Sequence, residues 1–200
     1  VYKRQVDKRF NLKAEELAPL TDAGLTPYRG VKKLRDAGAL GPNRVLAVLG
    51  VSALGTYAVQ YAKLLGGGAT VVAMARNPEK LAAAKALGAD HVIGVKGKSI
   101  DDVRKELNAA VGKGEIDAAI DCAGAEEMIQ LGFGLMGISG HYASVGLVGD
   151  RINIPLFPLV AREYTYHGSF WGNYNDLSEV ISLAKQGKIK HSIDVIKFDH

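Results

Sequence analysis

The sequence predicts an α/β fold, a doubly wound six-stranded parallel sheet with helices on both faces. Three observations carry that expectation. Strand-like and helix-like patterns alternate from Arg44 onward, the ordering that builds a parallel sheet through crossover helices. Helix starts and stops are marked by capping residues and glycines between the runs. Two hundred residues with 48% hydrophobic content suffice for one sizeable core.

The first strand is "RVLAVL", and a helix from about Leu54 to Leu65 follows, with Leu54, Ala58, Val59, Ala62 and Leu65 at helical spacing until Gly66, Gly67 and Gly68 stop it. "TVVAMA" is the second strand. Asn77 is then an N-cap with Pro78 at the first helical position of an alanine-rich helix that ends at Gly88. "HVIGV" is a short third strand. Ser99, with Asp102 three residues on, opens a helix carrying Ile100, Val103, Leu107 and Val111 on one side. "EIDAAID" is the fourth strand, "AEEMIQLGFGLM" its helix and "GHYASVG" the fifth strand, after which the two prolines of "RINIPLFPLV" predict an inserted loop. "YTYHGSF" is the sixth strand. "NDLSEVISLAKQGK" is the last helix, with Leu177, Val180, Ile181 and Ala184 on its buried face. Six strands with crossover helices make a Rossmann-type unit. Ahead of it, "TPYRGVKKLRDAG" is a helix leading in from a preceding domain.

Composition narrows the function classes. A net charge of +4 from 25 basic and 21 acidic residues is scattered, with no basic block or interleaved aromatics to form a nucleic-acid track. The single cysteine, Cys122, excludes an internal disulfide framework, and no apolar run has the length of a membrane span, so a cytoplasmic protein is expected. A start at Val1 without methionine and a stop at "VIKFDH", partway through a strand pattern, are read as the ends of a fragment. Residues 1–14 are then non-native or a domain remnant, 15–43 a lead-in segment, 44–190 the nucleotide-binding domain, and 191–200 a truncated return.

The turn "GVSALG" between the first strand and helix is where a phosphate would sit, since a helix N-terminus offers free N–H groups and a positive dipole end. Gly50 serves the tight turn and Gly55 the close packing of helix on strand, with Val51, Ser52, Ala53 and Leu54 between them. Ser52 stands where the usual fingerprint has its second glycine. Its β-carbon takes room at the point of close approach, while its hydroxyl can donate to a phosphate oxygen. A purely structural turn, or a methyltransferase, is the alternative. Both methyltransferases and NAD enzymes commonly place a carboxylate after the second strand to hold ribose hydroxyls, roughly twenty residues past the turn. Here that position is Ala75, followed by Arg76. Without the carboxylate, and with a guanidinium able to pair with a 2′-phosphate, NADP is favoured over NAD and over S-adenosylmethionine.

"LAPLTDAGLTPYRGVKK" (17–33), with "GVSALGTYAVQYAK", "NPEKLAAAKALGADHVI", "IDAAIDCAG", "ASVG" and "HGSFWG", resembles the medium-chain zinc-dependent alcohol dehydrogenase family over nearly all of residues 15–193. Ser52 and Ala75 depart from its commonest pattern. The resemblance implies a catalytic zinc with three protein ligands and one open position, of which this segment supplies the third. That ligand, often cysteine, would be Asp22. An ordinary helix-cap aspartate at "TDAG" is the competing reading, weighed against the matching neighbours Pro19, Leu20, Gly24, Thr26 and Tyr28.

By the same resemblance, Thr26 lies beside the nicotinamide and counts as catalytic with Asp22. Ala75, Arg76 and Lys80 border the adenosine ribose, Val145 and Gly146 the nicotinamide half, and Trp171 can face the substrate pocket. Cys122 ends the fourth strand beside the cofactor and reads as a small buried residue rather than a nucleophile. His91 and His167 read as structural or surface residues. The implied reaction of the intact protein is oxidation of an alcohol to an aldehyde or ketone by hydride transfer to NAD(P), with zinc as Lewis acid. A zinc-free quinone or enoyl reductase and a non-catalytic nucleotide-binding protein remain as rivals. The implied partners are a small alcohol or carbonyl substrate and a second copy, in a homodimer or homotetramer through the edge strand in "REYTYHGS".

Overall fold

Each apolar run becomes a strand of one sheet in the computed structural model, which describes residues 12–191, 193 and 196. β1 (Val45–Leu49), β2 (Thr70–Ala75), β3 (His91–Gly94), β4 (Ile116–Asp121), β5 (Met136–Ser144) and β6 (Thr165–Gly168) lie in the order β3-β2-β1-β4-β5-β6. Every neighbouring pair is parallel. The helices are α1 (Ala14–Leu17), α2 (Leu25–Asp36), α3 (Ala53–Leu65), α4 (Pro78–Ala86), α5 (Ile100–Val111), α6 (Glu126–Leu135), α7 (Leu156–Ala161) and α8 (Tyr174–Lys185), with a 3₁₀ turn at Ala18–Thr21. Most of residues 1–14 and of 191–200 fall outside the described residues.

Two cores form because β1 is buried at every position, so its successive side chains feed opposite faces. On one face Val31, Leu34, Tyr57, Ala58, Ala84 and Val180 bring in α2, α3, α4 and α8. On the other, Val103, Leu107, Met128, Ile129 and Leu135 bring in α5 and α6. The helix before β1 is therefore a full layer member, packed through Tyr28, Val31 and Leu34.

The capping signals act as their chemistry requires. Asn77 accepts from the Glu79 N–H at 2.8 Å ahead of Pro78, and Ser99 and Asp102 form a reciprocal capping box, Ser99 Oγ accepting from the Asp102 N–H at 3.2 Å. The structure departs from the sequence expectation at several points. The predicted helix through Met136 stops at Leu135, because the Met136 carbonyl accepts from Arg162 at 3.1 Å and from the Tyr164 hydroxyl at 2.9 Å, which draws the chain into β5. The strand then ends at Ser144 rather than at Gly146. "RINIPLFPLV" holds the short helix α7, since Pro158 falls in its first turn, where a missing N–H costs nothing. On α8, Val180 and Ala184 are buried, but Leu177 and Ile181 are only half-buried.

The turn of α8 toward α2 is fixed by charge. Asp176, 3% exposed, accepts from Arg29 at 2.7 Å and Lys32 at 3.1 Å, and it caps its own helix through Asn173. Burial alone would raise the Asp176 carboxyl. The Asn173 N–H, Arg29 and Lys32 outweigh burial and hold it below the usual carboxylate range. A lowered carboxyl stabilises the fold above its unfolded-state value, and that contribution is lost as pH falls through the folded-state value. Asp176→Asn is expected to cost about 1–2 kcal/mol at neutral pH, discounted because both cations are partly exposed. Thermal melts would show the deficit shrinking below about pH 4, where wild type loses the same charge.

Candidate functional site

The strand order reverses at β1, whose neighbours β2 and β4 leave in opposite directions, so a crevice opens beyond the carboxyl ends of β1 and β4. A cleft of about 890 Å³ occupies that end of the sheet. Its wall is built from three turns. The first follows β1, where Gly50 adopts φ +84° and a β-carbon on Gly55 would overlap the Gly50 carbonyl oxygen. Ser52 caps α3 at φ −89° in extended backbone, so no glycine is needed there for conformation. Its side chain makes no cap hydrogen bond, and Ser52 and Ala53 are exposed while Val51 is buried.

Asp121, fully buried, organises the second turn. Its Oδ1 accepts from the Ala123 and Gly124 N–H groups, each at 2.9 Å, and its Oδ2 accepts from the Tyr142 hydroxyl at 2.9 Å. Burial raises its carboxyl, and these three donors oppose the rise. The third turn follows β5 and is stitched to the second through backbone. Val145 and Gly146 donate to the Asp121 carbonyl at 3.0 and 2.9 Å, and a β-carbon on Gly124 or Gly146 would strike the facing backbone. Cys122 lies between them with its thiol pushed well up by complete burial, the state of an inert packing residue rather than a nucleophile.

Asp22, Thr26, Ser52, Leu54, Cys122, Val145, Gly146 and Trp171 all line this one cleft, although they come from five separate parts of the chain. Asp22 Oδ1 accepts from the Trp171 indole N–H at 3.0 Å and from the Thr26 hydroxyl at 3.3 Å. Among the described residues its Oδ2 has no hydrogen-bond partner, and no three His, Cys, Asp or Glu side chains converge on a metal-sized site. Ala75, Arg76 and Lys80 stand apart, at the end of β2 and on α4. There Arg76 shares a groove with Asn77, Lys96 and Lys98, and its one ion pair among the described residues, with Glu127, is long at 3.9 Å and exposed on both sides.

Sequence reading missed several residues of the wall. Arg29 and Lys33 line the cleft from α2, and Lys33 donates to the Gly168 carbonyl at 2.5 Å. Their spacing of four along a helix was a legible signal that they share a face. Asp121 was legible as a carboxylate ending an apolar strand. Ser169, whose buried hydroxyl has no partner among the described residues, carried no local signal. His167, read as structural, stacks on His141 with ring nitrogens 3.0 Å apart.

Residues 53–186 match the family described as zinc-binding dehydrogenase. The chain is 37% identical to an NAD-dependent alcohol dehydrogenase of Sulfurisphaera tokodaii over 184 residues, 92% of this chain and 51% of that protein. Its structure superposes on the crystal structure of an alcohol dehydrogenase from Aeropyrum pernix with a TM-score of 0.84 at 36% identity, covering 94% of this chain and 54% of that one. The acetophenone reductase of Geotrichum candidum in complex with NAD gives a TM-score of 0.78 at 29% identity, covering 91% and 48%. The chain thus spans about half the length of the relatives it matches.

Proposed function

This chain belongs to the zinc-binding dehydrogenase family, and we propose that it is the nicotinamide-dinucleotide-binding half of an alcohol dehydrogenase that interconverts a small alcohol with its aldehyde or ketone. The single observation that supports this most is the convergence of Asp22, Thr26, Ser52, Val145 and Gly146 on one cleft at the switch in strand order. The cleft suits the cofactor. Its glycine turn leaves no room for a β-carbon at Gly55, Lys33, bonded only to a neutral carbonyl among the described residues, supplies positive charge, and the Ser169 hydroxyl is buried without a partner among the described residues. Leu147, Val148 and Phe170 give the rim exposed apolar surface for a bound molecule to cover.

The cofactor, when bound, supplies hydride transfer, and zinc supplies Lewis-acid polarisation of the substrate oxygen. The residues of this chain do the rest. Gly50 to Gly55 would hold the pyrophosphate at the α3 N-terminus, where the Ser52 side chain makes no cap hydrogen bond and could donate to it. Val145 and Gly146, with Thr26 and Cys122 lining the same cleft, would border the nicotinamide. Asp22 offers one carboxylate oxygen to the metal and fits as a single ligand, the remaining ligands coming from the other half of the protein. Trp171 borders the substrate space.

Arg76 carries the choice of cofactor. Ala75 leaves no carboxylate to repel a 2′-phosphate, and Arg76, weakly paired and flanked by Lys96 and Lys98, is placed to bind one, so NADP is preferred although NAD is named for relatives. Titrating the chain with NADPH and NADH while following nucleotide fluorescence tests the reading. NADPH is expected to bind more tightly, and Arg76→Ala should weaken NADPH alone by roughly 10–100-fold. Tighter NADH binding would discard the NADP preference, and binding of neither would favour a structural role for the turn. The same reading carries a cytoplasmic location and self-association along the unpaired edge of β6, next to Leu156, Phe157 and Val160, which α7 leaves exposed.

A further inference from the structure

We propose that Trp171 is a positioning residue for Asp22: its indole N–H selects which carboxylate oxygen is presented to a divalent metal. The inference rests on the reading of Asp22 as a metal ligand. Both donors that reach this carboxylate, Trp171 Nε1 at 3.0 Å and Thr26 Oγ1 at 3.3 Å, end on Oδ1. Two donors on one oxygen stop the rotation that would exchange the pair, so Oδ2 stays available for a single metal bond. Both donors are neutral, which leaves the full negative charge on the ligand. The cations nearby are engaged elsewhere, Arg29 on Asp176 at 2.7 Å and Lys33 on the Gly168 carbonyl at 2.5 Å. An ion pair would have competed with a metal; the indole does not.

The loop carrying the indole is held in place for this contact. Trp171 adopts φ +46°, a left-handed conformation that is unfavourable for a bulky residue and persists only when the surroundings enforce it. The enforcing contacts are visible on both sides. Gly172 packs so closely on Leu25 that a β-carbon would collide with its side chain, and Asn173 caps α8, whose Asp176 is tied to Arg29 of α2. The segment that bears Trp171 is thus bolted to the helix that begins just after Asp22. Core packing does not explain the residue, because 52% of Trp171 is exposed while its ring nitrogen is occupied. Donors behind a metal ligand of this kind orient it and typically change metal affinity by 10–100-fold.

The test uses cobalt(II) as a spectroscopic stand-in for zinc in the complete, metal-stripped protein. Trp171→Phe is expected to weaken cobalt binding by about 10–100-fold and to shift the visible d–d absorption, with NADPH affinity unchanged. Replacing Trp171 by benzothienylalanine, which keeps the ring system and removes only the N–H, should give the same loss without disturbing the loop. Wild-type cobalt affinity and spectrum in the benzothienylalanine protein would overturn the proposal, leaving Trp171 a packing residue. Asp22→Ala run in parallel separates the two claims. If Asp22→Ala also holds cobalt unchanged, the ligand reading fails and takes this inference with it; if only Asp22→Ala loses cobalt, the ligand reading stands and the positioning role alone is discarded.

Discussion

Asp22→Ala in the complete protein is expected to remove bound zinc and lower turnover by roughly 10³-fold or more, while dinucleotide affinity stays within about twofold. The asymmetry follows from where Asp22 sits. It lines the cleft beside Thr26 and Trp171, but its hydrogen bonds go to those two side chains and none goes to the glycine turn that would hold the pyrophosphate. On the proposed reading, truncating it would strip one charged ligand from the metal and leave the glycine turn standing. Metal analysis, steady-state turnover and a nucleotide titration on the same preparation check all three parts. Retained zinc with retained turnover would return Asp22 to an ordinary turn residue and raise the zinc-free reductase in its place.

The second large effect is at Gly55. A β-carbon there would overlap the Gly50 carbonyl oxygen and approach the Cys122 β-carbon at 3.8 Å, and Gly50 cannot swing aside because it is locked at φ +84° with its N–H on the Met74 carbonyl. α3 must then lift off β1. Gly55→Ala is expected to destabilise the chain by about 1–3 kcal/mol, the usual cost of overpacking, and to lower Tm by roughly 3–10 °C. Because the lifted helix would carry the N-terminus proposed to bind the pyrophosphate away from the crevice, NADPH affinity should fall by at least about tenfold. Calorimetry and nucleotide titration measure the two parts separately. A destabilised variant that binds NADPH normally would show that the pyrophosphate does not sit on this turn.

Much of the candidate site was legible because its residues belong to local motifs. The turn Gly50 to Gly55 lies between an apolar strand and an amphipathic helix, and that context, more than the glycines, marks it. Ser52 looked like a defect in the fingerprint. The backbone explains why it is tolerated, since φ −89° is open to any residue and glycine at that position serves only close approach. Other parts were not legible. Asp121 is visible as a carboxylate ending an apolar strand, but not its partners, two backbone N–H groups and a hydroxyl from the next strand; the Met136 boundary is likewise set by Arg162 and Tyr164, side chains that arrive from a later turn of the chain.

By itself the sequence determined the six parallel strands, their crossover helices, the helix caps and the turn able to receive a phosphate, because each is decided by residues within a few positions of one another. Only the tertiary structure decided which of those pieces form a site. Asp22 and Trp171 are 149 residues apart and meet at 3.0 Å, and Arg29 reaches Asp176 across 147 residues. Contacts of that kind depend on the strand order β3-β2-β1-β4-β5-β6, which sets β6 and the loop after it beside α2. Periodicity states that a strand exists and which residues it buries; it carries no information about which neighbour that strand will take.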